Sequence, residues 1–196
     1  MKVKKQDVIS FFREIVIVII GILIALSINN WNENRNNEIF INKAIFAIEE
    51  EIKLNKTDMN RIVQRHKETM DSIAMHINND KISLRQIIEK SRGFQIAELK
   101  NIGIRFFISN KAELIDYEVI SSLSEIEFLS EAVKMKTERL LNYLYDNMES
   151  TNESAKYKFV IYLADVVESE NGLLDLYDDF LNKKKKPAYS KEQNGK

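Results

Sequence analysis

The sequence predicts an all-α protein: an N-terminal transmembrane helix followed by an antiparallel helical bundle with a long first helix. Three observations predict it. Residues 15–28 read IVIVIIGILIALSI, an apolar run that no charge interrupts. Beyond it, apolar residues recur in alternating steps of four and three from Ile41 onward, the mark of a helical packing seam. Gly (5) and Pro (1) are scarce in 196 residues, too few for a turn-rich sheet protein.

The apolar run alone would rise about 21 Å as a helix, short of the ~30 Å hydrocarbon core of a bilayer. Its flanks make up the difference. Val8, Ile9, Phe11 and Phe12 extend it upstream and Trp31 lies downstream, so Val8 to Trp31 would rise about 36 Å. Trp31 suits the interfacial aromatic belt, and Arg13 can carry its guanidinium to the near interface. Glu14 has three readings: at headgroup level, paired with a basic group, or facing a second helix. Glu14 and Gly21 are the points where another membrane helix would make contact. Two rivals to a retained anchor stand beside it. One is a buried core helix. The other is a cleaved signal peptide, with Lys2, Lys4 and Lys5 as its basic start and Ala25-Leu26-Ser27 as a loose cleavage site.

Lys2, Lys4, Lys5 and Arg13 precede the run, whereas the flank NNWNENRNNE that follows carries only Arg35. Positive residues stay on the cytoplasmic side. The expected topology is therefore single-pass in a bacterial cytoplasmic membrane, N-terminus inside and C-terminal domain outside. The expected organisation is a short cytoplasmic N-terminus (1–14), the anchor (15–31), the bundle (32–182) and a basic disordered tail (183–196).

Asn29 to Asn37 forms an Asn-rich collar, and from Glu38 the pattern turns helical to about Asn78. The stripe Ile41, Ile45, Ile48, Ile52, Met59, Ile62 and Ile73 is the helix-packing seam, with Asn55, His66 and Thr69 at polar positions within it. Such a coiled-coil seam packs on a helix of this chain or of another copy. Ser83 to Gln86 reads as a capping box opening a short helix that stops at Arg92-Gly93. Residues 97–108 are expected to form a helix followed by a turn, and another helix begins near Asn110. Ser121 or Ser122 then caps a helix to about Met148 with Leu123, Ile126, Leu129, Val133, Leu140 and Leu144 as its stripe. A final helix spans Ala155 to about Asn182, with a kink expected at Asn171-Gly172.

Net charge is −1 but unevenly spread: +2 over residues 1–35, −8 over 36–182 and +5 over 183–196. An acidic body excludes a nucleic-acid face, which needs cations to neutralise phosphates. The absence of Cys excludes disulfides and thiolate chemistry.

No catalytic or cofactor constellation emerges. His66 and His76 stand about 80° out of register on a helix and make no metal pair. Glu49, Glu50 and Glu51 diverge by about 100° each and read as a solvated face. The acidic residues Asp165, Glu168, Glu170, Asp175, Asp178 and Asp179 lack calcium-loop spacing and read as charged surface. No phosphate loop or nucleophile elbow is present. No enzyme, cofactor or metal is expected.

The segment REIVIVIIGILIALSINNWNENR, with Glu14, Ile20-Gly21-Ile22 and Asn30-Trp31-Asn32-Glu33, resembles the N-terminus of an uncharacterised bacterial family of single-pass membrane-anchored helical proteins, a domain of unknown function. The segment LKNIGIRFFISNKAEL (Leu99 to Leu114) resembles that family's Leu-x-x-x-Gly stretch. The resemblance implies membrane location and helical architecture, and no activity. The expected function is a structural or protein-interaction module, with the lipid bilayer and a protein partner or second copy as partners. The alternative is an extracytoplasmic small-ligand sensor signalling through a membrane partner.

Overall fold

The structure, a computed structural model, describes residues 5–183. In chain order it contains α1 (Lys5–Met75), α2 (Leu84–Lys90), α3 (Ile102–Lys111), a 3-10 turn (Ala112–Leu114), α4 (Tyr117–Asn147) and α5 (Glu153–Lys183). No strand occurs among the described residues, and the fold is all-α. Residues 1–4, and the expected basic tail from residue 184, lie outside the described residues. The chain divides into two compact units, one ending at Ile45 and one beginning at Phe46.

The first unit is helical throughout its described length. The Asn-rich collar is itself helix. Nothing in Asn29 to Asn37 breaks helical geometry, since Gly and Pro are both absent there. This helix is long and apolar enough to cross a membrane, and none of its most apolar window is buried. Arg13, Glu14, Gly21 and Trp31 are all exposed. The Arg35 guanidinium lies 5.8 Å from the Trp31 ring centroid, a cation–π distance. A Cβ at Gly21 would meet nothing within 4 Å. Ile41 and Ile45, near the unit's end, are buried.

In the second unit α1 packs antiparallel to α5. Lys56 pairs with Asp178, His66 with Glu170, and Lys156 with the carbonyls of His76 and Asn79. The α1 number rises as the α5 number falls. α4 and α5 form a second antiparallel pair, fastened by Lys136 to Asp165 at 2.7 Å and by Tyr143 against Tyr162 at 5.2 Å. Ile48, Ile52, Met59, Ile62 and Ile73 of the seam are fully buried, each such side chain contributing about 1.5–3 kcal/mol relative to exposure. Helices of the same chain fill this seam, so it is not a free surface for a second copy.

α2 starts on the expected capping box: Gln86 N–H donates to Ser83 Oγ, and Ser83 N–H donates to Gln86 Oε1. Its first turn also donates to the α4–α5 connection, Leu84 N–H to Ser150 O and Arg85 N–H to Met148 O. Arg92 (φ 70°) and Gly93 (φ 78°) then turn the chain out of the helix.

Two expectations change. Residues 93–101 are neither helix nor strand, and the helix expected over 97–108 begins only at Ile102. α4 starts at Tyr117, ahead of Ser121 and Ser122. α5 is one helix that runs through Asn171 and Gly172, as the last helical stretch was expected to. The α4 stripe also shifts: Ser130 is buried where Leu129 was expected, and Thr137 joins it. The buried residues Leu123, Ile126, Ser130, Val133, Thr137, Leu140 and Leu144 keep strict heptad spacing.

Candidate functional site

The polar positions of α1 hold the backbone of the 94–101 segment. His66 Nε2 lies 2.8 Å from Gln95 O. Asp58 Oδ2 accepts from Glu98 N–H at 3.2 Å. Asn55 makes two bonds to one residue: its Nδ2 donates to Lys100 O at 2.7 Å and its Oδ1 accepts from Lys100 N–H at 3.0 Å. Glu51 Oε2 accepts from Gly103 N–H at 3.0 Å. Backbone polar groups must find partners when buried. Here side chains of α1 supply what a helix would have supplied internally.

Glu51 was expected on a solvated face. Instead it turns to the N-terminus of α3, where Asn101 makes no side-chain cap bond. The helix dipole favours an anion there. Burial pushes the Glu51 carboxyl up from the usual range, opposed by the amides of Gly103 and Ile102 and by the charge of Lys100. A Cβ on Gly103 would come within 3.2 Å of Ile48 Cγ1 and 3.3 Å of Glu51 Oε2. The glycine permits this close approach.

His66 and Glu170 form a buried pair, each side chain 1% exposed, with Nδ1 and Oε2 2.9 Å apart. A carbonyl oxygen only accepts, so Nε2 carries the hydrogen that it gives to Gln95 O. One further proton lies between Nδ1 and Oε2. The pair is electroneutral whether imidazole or carboxyl holds that proton, and this lowers the cost of burying it. The Phe94 ring stacks on His66 at 4.9 Å and meets Phe159 edge-on at 6.0 Å.

Two further buried polar groups support the frame. Lys156 is fully buried and donates to His76 O and Asn79 O, the carbonyls just beyond the end of α1. Burial lowers its ammonium from the ordinary lysine value, with Asp80 partly opposing. The Tyr177 hydroxyl is buried without a hydrogen-bond partner. Ser130 and Asn55 lie beside it but bond to Ile126 O and to Lys100. Burial pushes Tyr177 up to about 12.

A cavity of about 430 Å³ opens between the 96–102 stretch and α4. Its apolar wall includes Leu99, Ile102, Val133 and Leu141, its polar wall Asn101, Ser130 and Thr137, and Glu170 reaches it from α5. The volume falls within the roughly 300–1,000 Å³ typical of small-molecule sites. Arg105, also on the wall, is engaged by Glu127 at 3.1 Å and by Glu131. Among the described residues, no group of three or more His, Asp or Glu side chains is placed to hold a metal ion.

The residues singled out in the sequence divide accordingly. Arg13, Glu14, Gly21 and Trp31 stand on the exposed first unit and are not among the residues that line this cavity. Asn55 and His66, read as polar positions within the seam, hold the backbone of the 94–101 segment. Glu170, read as charged surface, is core. The signal was present: Lys156, Phe159, Leu163, Val166, Glu170, Leu173, Tyr177 and Phe180 are all buried and keep heptad spacing. The two charged residues occupy core positions of that repeat. No curated protein and no solved structure matches the chain. Residues 14–182 match the family of unknown function DUF6090, and the chain belongs to that family.

Proposed function

We propose that this chain is a non-enzymatic, membrane-anchored helical module, presented outside the cytoplasmic membrane with its N-terminus inside. The observation that carries the reading is the apolar helix of the first unit, of which no part of the most apolar window is buried. An apolar surface of that extent is costly in water and stable in lipid. The basic residues ahead of it favour the stated orientation. The bilayer is one partner. A protein partner is the other, and it must use a surface other than the seam already filled within the chain.

Reporter fusions after residue 40 and at the C-terminus, with alkaline extraction and the intact mass of the mature chain, test this reading. Membrane retention, full-length mass and external reporters are expected. Release by alkali, or a mass lacking the residues up to Ser27, would overturn the anchor.

One observation favours a second reading, a small-ligand sensor coupled to a membrane partner. The bundle contains a cavity of about 430 Å³ with buried polar groups on its wall, where a structural spacer would need none.

A further inference from the structure

We propose that Tyr162 is a covalent modification site, its phenol oxygen being the tyrosine nucleophile of this bundle that an acyl donor reaches first, with Arg139 and Lys158 as the positioning residues that activate it.

Tyr162 lies half-buried where α4 meets α5, beside two exposed cations. Arg139 Nη2 donates to the Tyr162 hydroxyl at 3.4 Å, and its guanidinium stands 4.7 Å from the ring centroid. The Lys158 ammonium stands 5.7 Å from the same centroid and 5.3 Å from that of Tyr143. Both are cation–π distances. Among the described residues no ion pair involves either cation, so neither charge is neutralised by a carboxylate. Asp165, three residues on along α5, is engaged by Lys136 at 2.7 Å.

Cations beside a phenol favour its ionised form. The hydrogen bond from Arg139 is the largest cause that draws the Tyr162 phenol below its ordinary range, and the charges of Arg139 and Lys158 add to it against the opposing effect of burial. Tyr143 packs edge-on against Tyr162 at 5.2 Å and has the same lysine nearby, yet it moves the other way. Burial raises it, and its hydroxyl is committed to Ala155 O at 3.1 Å. The two adjoining rings are therefore set apart, one as the readier nucleophile and the other as a structural donor.

The phenolate, not the phenol, attacks an acyl carbon. Lowering the pKa raises the population of the anion by more than it weakens each anion's attack, as for thiols. In the step the Tyr162 oxygen bonds to the acyl carbon and the bond from that carbon to the donor's leaving group breaks. The phenolic proton passes through water to that leaving group. The ester so formed can no longer carry the negative charge that the two cations favour.

The test treats the full chain in lipid nanodiscs with N-acetylimidazole at limiting extent. Peptide masses locate the acetyl groups, and hydroxylamine removes those on phenols while sparing those on lysines. Exposure alone would order the tyrosines Tyr117 (82%), Tyr145 (66%), Tyr157 (59%) and only then the half-buried Tyr162. Tyr162 is instead expected first, about threefold or more ahead of Tyr117, with Tyr143 behind all four. Its labelling should reach half its maximal rate at a lower pH than in the chain unfolded in urea. Arg139→Gln should abolish the lead, Lys158→Gln should reduce it, and Arg139→Lys should keep part of it. Labelling in the order of exposure would overturn the proposal, as would a pH profile no different from that of the unfolded chain. A lead that survives in the double variant Arg139→Gln/Lys158→Gln would remove the two cations as its cause.

Discussion

His66 and Glu170 stand 104 residues apart in sequence and meet at 2.9 Å in the interior, each 1% exposed. Removing either leaves the other buried without its partner, which costs about 3–5 kcal/mol. His66→Ala and Glu170→Ala are each expected to destabilise the bundle by that amount. The double variant His66→Ala/Glu170→Ala should lose less than the two singles combined. Urea unfolding of the four proteins gives the coupling, and strict additivity would contradict the pairing.

Tyr177 makes a prediction of opposite sign. Its buried hydroxyl has no partner, and such a group costs about 1–3 kcal/mol. Tyr177→Phe should therefore stabilise the protein at neutral pH. The hydroxyl is pushed up to about 12 in the folded protein, against about 10 in an unfolded chain. The folded state holds this proton more tightly. Its contribution is complete below pH 10 and is lost as pH rises through the folded value, by about 2–3 kcal/mol. Unfolding measured from pH 8 to pH 12 should show this alkaline loss in the native chain and a smaller one in Tyr177→Phe.

Asn55 holds both polar groups of the Lys100 backbone. Asn55→Leu preserves the side-chain size and leaves both groups unsatisfied. A loss of about 1–3 kcal/mol is expected. Hydrogen exchange localises the effect: the Lys100 amide should lose protection well before the amides in the middle of α4. Unchanged protection at Lys100 would refute the role assigned to Asn55.

Two glycines separate packing from exposure. Gly103→Ala drives a Cβ to within 3.2 Å of Ile48 and 3.3 Å of Glu51, and overpacking of that kind costs about 1–3 kcal/mol. Gly21→Ala meets nothing within 4 Å and should leave the bundle's unfolding midpoint where it is. Thermal unfolding of both variants checks the contrast. A Gly103→Ala midpoint equal to that of the native chain would count against the close approach of α3 to α1.

The reading of the sequence succeeded wherever the controlling interaction lay within one helix. The all-α class, the capping box at Ser83 and the exposed apolar helix follow from neighbours a few residues apart. It failed at residues 97–101, where a helix was expected to begin and the chain is irregular up to Ile102. The partners of the 94–101 backbone are Asn55, Asp58 and His66, on an element that no local pattern connects to it. It failed again at Glu51 and Glu170, because a carboxylate defaults to the surface unless a specific partner offsets its burial.

Helical periodicity marks which positions of α1, α4 and α5 turn inward, because a period of about 3.6 residues is imposed by the backbone of each helix alone. It placed Asn55 and His66 on an inward stripe, and the same heptad rule places Lys156, Glu170 and Tyr177 on another. What each of those polar groups meets depends on how α1 and α5 are set against each other and on where the 94–101 segment crosses them. That alignment is a sum of contacts between residues scores of positions apart. Only the assembled bundle brings His66 to Glu170, Asn55 to Lys100 and the wall of α4 to the cavity that Glu170 lines.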